Sequence, residues 1–327
     1  MTCTRPERAY AAFLGFLLFT IALSAAPAKD QSSPTAPAEL VRRAVQNEIA
    51  ANNASGPRFM FKNEKRTSRY SETKLMVETS DATAGLLVAV DGHPLNSAQR
   101  QTEEARLENY IRNPEQLNKK HRQEQEDAER TTKIVRALPE AFLYEDDGTQ
   151  PGTSTVGQPG DELTRLKFRP NPNYTPPSHV EQVLTGMRGQ LLIDPKENRI
   201  AEINGTLEKE VGFGWGILGH LDRGGRFVVQ QADIGNHVWE LTRMELSFTG
   251  KVLFFKRLNI HSSDIFTDFH PVPKTLTFAQ GVELLKKQLT HDQSAGMSPA
   301  GKQDSAKIQK AQSQTRDRAA ENICCDR

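Results

Sequence analysis

The chain has 327 residues, 36% of them hydrophobic, and its 42 Lys and Arg are matched by 41 Asp and Glu, for a formal net charge of +1. The two signs are interspersed, which excludes the one-sided basic face of a nucleic-acid binder. Only three cysteines occur, Cys3, Cys324 and Cys325, so no spaced disulfide framework is available and a hydrophobic core must hold the fold together.

Arg5 and Arg8 precede the apolar run "AAFLGFLLFTIALSAA", and Ala26 and Ala28 form an A-x-A site, so residues 1–28 read as a secretory signal peptide. A retained membrane anchor is the other reading of a run this long. Cys3 stands at the wrong end of the signal for a lipidation site. The expectation is a periplasmic protein, soluble after cleavage, with no transmembrane span.

Residues 29–37 read as a linker and residues 38–290 as one domain. Leu40, Val41, Ala44, Val45 and Ile49 recur at three- and four-residue spacing, the signature of one buried helix face. "RFMFKNEKR" and "RYSETKLMVETS" read as strands, and "ATAGLLVAVDGHPLN" as a third ended by the Asp91-Gly92 turn signal. Residues 97–138 predict a long charged helical excursion, capped by Ser97, interrupted at Pro114, and solvated in its middle. Residues 144–162 read as a flexible Gly/Pro/Ser/Thr-rich loop.

β patterning dominates beyond that loop. Val183, Met187, Leu191 and Ile193 share one face of a strand, and Asp194 to Asn198 supply a reversal. Ala201, Ile203, Gly205, Leu207 and Val211 fall on one face of the next strand. "RFVVQQADI", "HVWELTRMELSFT" and "KVLFFKRLNIHSSDIF" follow with short turns, which predicts an antiparallel sheet. Thr277 caps a closing helix bearing Phe278, Val282, Leu285 and Leu289, and residues 291–327 read as a disordered polar tail carrying Cys324 and Cys325.

The stretch "GFGWGILGHLDRGGRFVVQQ", residues 212–231, is no dinucleotide fingerprint, because it leaves into a strand and lacks the Lys-Ser/Thr of a P-loop. Its glycines allow a tight loop, and its large apolar side chains suit either the rim of a hydrophobic cavity or a plug at one end of the core. The eight histidines show no short metal-ligand spacing, and no nucleophile elbow occurs. His220 with Asp222 and His261 with Asp264 are candidate catalytic pairs whose plainer reading is polar turn residues. No metal, cofactor or catalytic residue is therefore assigned.

The segments "ETKLMVETSDATAGLLVAVDGHPLN" and "MRGQLLIDPKENRIAEINGTL" repeat a strand, reversal, strand pattern that resembles the LolA/LolB-like periplasmic carriers of lipids and lipoproteins. The resemblance implies an α+β fold: a strongly curved antiparallel sheet, an open half-barrel, with helices on its concave side. It also implies non-catalytic binding of a lipid or a lipidated protein's acyl chain. Met187, Phe213, Trp215, Leu218 and Trp239 are the expected lining. An envelope interaction or sensor module, contacting a protein partner through the charged helix, and a hydrolase whose groups meet only in the fold are the alternatives.

Overall fold

The structure, a computed structural model, describes residues 36–54, 56–213, 219–252 and 256–296. The expected signal peptide, most of the linker, Trp215, Leu218, and the tail from 297 with Cys324 and Cys325 lie outside the described residues. The fold is α+β: the described residues form five helices and one open antiparallel sheet of thirteen strands. Among the described residues no helix is long and apolar enough to cross a membrane.

Helix α1 (Ala36–Asn53) is followed by the meander β1 (Arg58–Thr67), β2 (Ser71–Val77), β3 (Ala84–Val90) and β4 (His93–Pro94). Asp91 and Gly92, at φ 50° and 76°, make the reversal between the last two. Helices α2 (Ser97–Arg112) and α3 (Pro114–Ala141) come next, then β5 (Phe142–Pro151) and β6 (Glu162–Pro170). A short helix α4 (His179–Gln182) and a 3₁₀ turn (Val183–Gly186) lead into β7 (Met187–Asp194) and β8 (Arg199–Leu207). The small hairpin β9 (Val211–Phe213) and β10 (Gly219–Leu221), the strands β11 (Arg226–Asp233), β12 (Trp239–Val252) and β13 (Lys256–Val272), and helix α5 (Phe278–Gly296) complete the described residues.

Spatially the order is β4-β3-β2-β1-β13-β12-β11-β8-β7-β6-β5, with β10 joined to β12 and β9 to β10. The pairing of β1 with β13 unites the two ends of the domain, Arg58 lying opposite Val272.

Two helical clusters pack on the sheet. Leu40, Val41, Ala44 and Val45 of α1 and Leu138 and Ala141 of α3 pack on β5 to β8, while Phe278, Val282 and Leu285 of α5 and Leu107 of α2 pack on β1 to β3. Beside the first cluster, Ser262 and Asp264 of β13 lie opposite Leu246 and Met244 of β12. The sheet thus carries two separate apolar cores.

Several sequence expectations are corrected by local chemistry. The cap of α2 is Asn96, not Ser97: its side chain accepts from Gln99 N, and the Gln99 side chain accepts from Asn96 N, a reciprocal capping box. Pro114 opens a new helix behind the Asn113 cap. Helix α3 is anchored at both ends, Leu117 against the α5 core and Leu138 in the α1 core, with a solvated middle between them. Residues 142–151 are strand, because β6 supplies a pairing edge that their turn-rich composition conceals. Only 152–161 form the loop, and it folds back onto the sheet, where Gly157 bridges Ala232.

The sheet also holds poorly solvated carboxyls. Burial, and secondarily Glu78, pushes Glu240 up to about 7. Burial likewise raises Glu78, although the Phe59 amide donates to it at 2.8 Å. A carboxyl with a raised folded-state pKa binds more protons folded than unfolded, so its contribution is complete below the unfolded pKa and is lost as pH rises through about 7. Urea midpoints should accordingly be higher at about pH 5 than at about pH 8, and Glu240→Gln should flatten the difference.

Candidate functional site: an apolar hollow beneath α3

A cavity of about 390 Å³ lies between the sheet and the α3–α4 segment. Its sheet wall takes side chains from six successive strands: Tyr144 of β5, Phe168 of β6, Met187 of β7, Ile203 of β8, Phe227 of β11 and Leu246 of β12. Laid flat, six strands span about 24 Å at ~4.8 Å each. A single hollow of this size reaches all six only because the sheet curls around it. Ile134 and Leu138 of α3 and Val180, Val183 and Leu184 form the opposite wall.

Strand register brings two glycines together in the sheet beneath the hollow. One cross-strand row runs Phe168, Gly189, Gly205, Phe227, Leu246. The two glycines face each other between phenylalanines, so neither adds a side chain of its own to the row. Each is required by a close approach. A Cβ at Gly189 would meet the Asn204 carbonyl oxygen at 1.9 Å, and one at Gly205 would meet the Phe227 ring at 2.3 Å. Backbone crowds Gly189, and an aromatic ring lies across Gly205.

Polar groups in the lining are few. The Tyr144 hydroxyl donates to the Leu138 carbonyl at 2.7 Å, and its pKa is pushed up by burial and then by Glu140. His179 is exposed at the rim, with Nδ1 3.4 Å from Gln182 Oε1. Among the described lining residues there is no carboxylate or thiol.

Of the expected lining, Met187 and Phe213 stand in the wall, whereas Trp215 and Leu218 fall outside the described residues. Trp239 is elsewhere. It packs with Val156, Leu163, Leu192 and Ala201 under the 152–161 loop, beneath the Arg199 guanidinium at 5.5 Å. Bulges explain the displacement: the register shifts between Gln230 and Gln231 where β11 meets β12, and between Leu192 and Ile193 where β7 meets β8. Each extra residue resets the two-residue alternation, which also moves Ala201 into this cluster.

The candidate pair His261 and Asp264 does not meet. His261 Nδ1 lies 3.0 Å from Ser247 Oγ, while Asp264 accepts from Ser262 and Asn63. His220 and Asp222 do meet, at 3.3 Å.

No protein-family model matches the chain, and no curated protein matches it. Among solved structures, a DUF1329 family protein from Desulfovibrio piger is similar at 7% identity and a TM-score of 0.25, over 72% of this chain and 93% of that one.

Proposed function

We propose that this protein binds an apolar ligand, the acyl chain of a lipid or of a lipidated protein, in the hollow beneath α3, and that it does so without catalysis in the cell envelope. The observation that carries this reading is a six-strand apolar wall around a hollow of about 390 Å³. The volume falls within the range of small-molecule sites, about 300–1,000 Å³. Each methylene moved from water into such a space contributes about 0.8 kcal/mol, so a chain of several carbons binds without polar recognition. The scarcity of polar groups around the hollow favours binding over chemistry. The apolar leader at residues 11–26 and the resemblance to LolA/LolB-like carriers support the envelope setting.

The test is purification from the native host, followed by solvent extraction and mass spectrometry, together with titration of a fluorescent fatty acid into the delipidated chain. A stoichiometric lipid and saturable, displaceable probe binding are expected. A chain that carries no lipid and takes up no probe would overturn the proposal.

A further inference from the structure

The β9–β10 hairpin presents two faces. Phe213 and Leu221 face the hollow. His220 alternates with Leu221 and so turns outward, together with Asp222 two residues on. Leu221 pairs with Val211, which places Glu210 across the hairpin from Asp222. A ligand atom from each of Glu210, His220 and Asp222 lies within 4.8 Å of the other two.

Two features set this trio apart from an ordinary polar edge. Carboxylates directly opposite each other on paired strands repel. Among the described residues, neither Glu210 nor Asp222 forms an ion pair with a Lys or Arg; the contact recorded is the imidazole of His220 on Asp222. Lys251 lies opposite His220 on β12 without entering an ion pair with either carboxylate. The repulsion is therefore left for some other cation to relieve. The second feature is metric. His220 Nε2 and Asp222 Oδ1 are 3.3 Å apart. Ligands held about 2.0–2.1 Å from a tetrahedral ion are separated by roughly 3.3–3.4 Å.

We propose that Glu210, His220 and Asp222 form a binding site for a divalent transition metal of the zinc class, with solvent completing the coordination. The imidazole decides the class, since calcium and magnesium prefer all-oxygen shells whereas nitrogen with carboxylate oxygen suits zinc and its neighbours. The ion would tie β9 to β10, strands of three residues each, from the face away from the hollow. The site requires nothing of the hollow's contents.

Sequence spacing alone does not reveal it. His220 and Asp222 are two apart, as same-face neighbours on a strand must be, but Glu210 joins them only through hairpin register.

The experiment uses the full chain, stripped with chelator and with Cys324 and Cys325 alkylated so that tail thiolates cannot bind the ion. Calorimetric titration with zinc should show one equivalent bound, and cobalt(II) should give the visible bands of a tetrahedral nitrogen-oxygen site. His220→Ala, and separately the near-isosteric double variant Glu210→Gln with Asp222→Asn, should weaken that equivalent by more than about tenfold, a loss that even an outer-shell partner can produce. Metal-free thermal melts establish that both variants remain folded. Failure of the parent to bind zinc, or unchanged affinity in both variants, overturns the proposal.

Discussion

Glu48→Ala should destabilise the fold by about 3–5 kcal/mol, the cost of leaving a buried charge without its partner, and the loss should appear as a lower urea midpoint. Glu48 is 5% exposed on the inner face of α1. Its carboxylate accepts from Arg199 Nε at 2.8 Å and Nη2 at 2.9 Å, and from the Ile200 amide at 2.9 Å. One side chain thus joins α1 to β8, and both charged groups are largely withdrawn from water. Truncation leaves the guanidinium without a hydrogen-bonded carboxylate, beside the Trp239 ring and near Glu240, and orphans the Ile200 amide. An orphaned amide alone costs about 1–3 kcal/mol, so the unpaired charge is the larger part. Glu48→Gln, which keeps an acceptor for the amide, should fall between wild type and Ala. Combining Glu48→Gln with Arg199→Met should recover stability relative to Glu48→Gln alone, because both charges are then gone. If the double variant instead loses the sum of the two single losses, the charge pair is not what holds α1 in place.

The same residue shows where sequence reading reaches its limit. Leu40, Val41, Ala44 and Val45 announce the buried stripe of α1 by their spacing, and Glu48 continues that stripe. Its polarity disguises it, since its partner lies about 150 residues away, beyond the reach of any periodicity. The antiparallel sheet was legible because alternation and turn residues are local: Asp91-Gly92 reverses the chain, and the Asp194 carboxylate accepts from the Lys196 and Glu197 amides to close the β7–β8 turn. Bulges defeat alternation, which is why Ala201 and Trp239 left the expected face for the cluster under the 152–161 loop. The site was half legible. Met187 and Phe213 signalled an apolar wall, but no sequence pattern states that Gly189 and Gly205 face each other or that the Phe227 ring lies across Gly205.

Gly205→Leu tests the hollow as the binding site and should lower affinity for a bound fatty-acid probe by about two orders of magnitude. A Cβ at this position meets the Phe227 ring at 2.3 Å, so the ring must move, and the space next to it is the cavity that it already lines. The four added carbons and the displaced ring occupy volume that would otherwise receive ligand. At about 0.8 kcal/mol per methylene excluded, some four carbons forgo ~3 kcal/mol, which corresponds to roughly a hundredfold in Kd. Overpacking should cost about 1–3 kcal/mol of stability in the same variant, so loss of binding alone does not separate blockage from partial unfolding. Phe227→Ala separates them. Removing the ring in the Gly205→Leu background gives the leucine the space it needs, and both stability and probe affinity should rise above those of Gly205→Leu alone. On its own, Phe227→Ala should cost about 3–5 kcal/mol, as the loss of a packed ring does, so the two substitutions should couple strongly and with opposite sign to their separate effects. Strict additivity, with affinity unchanged by Gly205→Leu, would mean that the ligand sits elsewhere and that the facing glycines serve only the bend of the sheet.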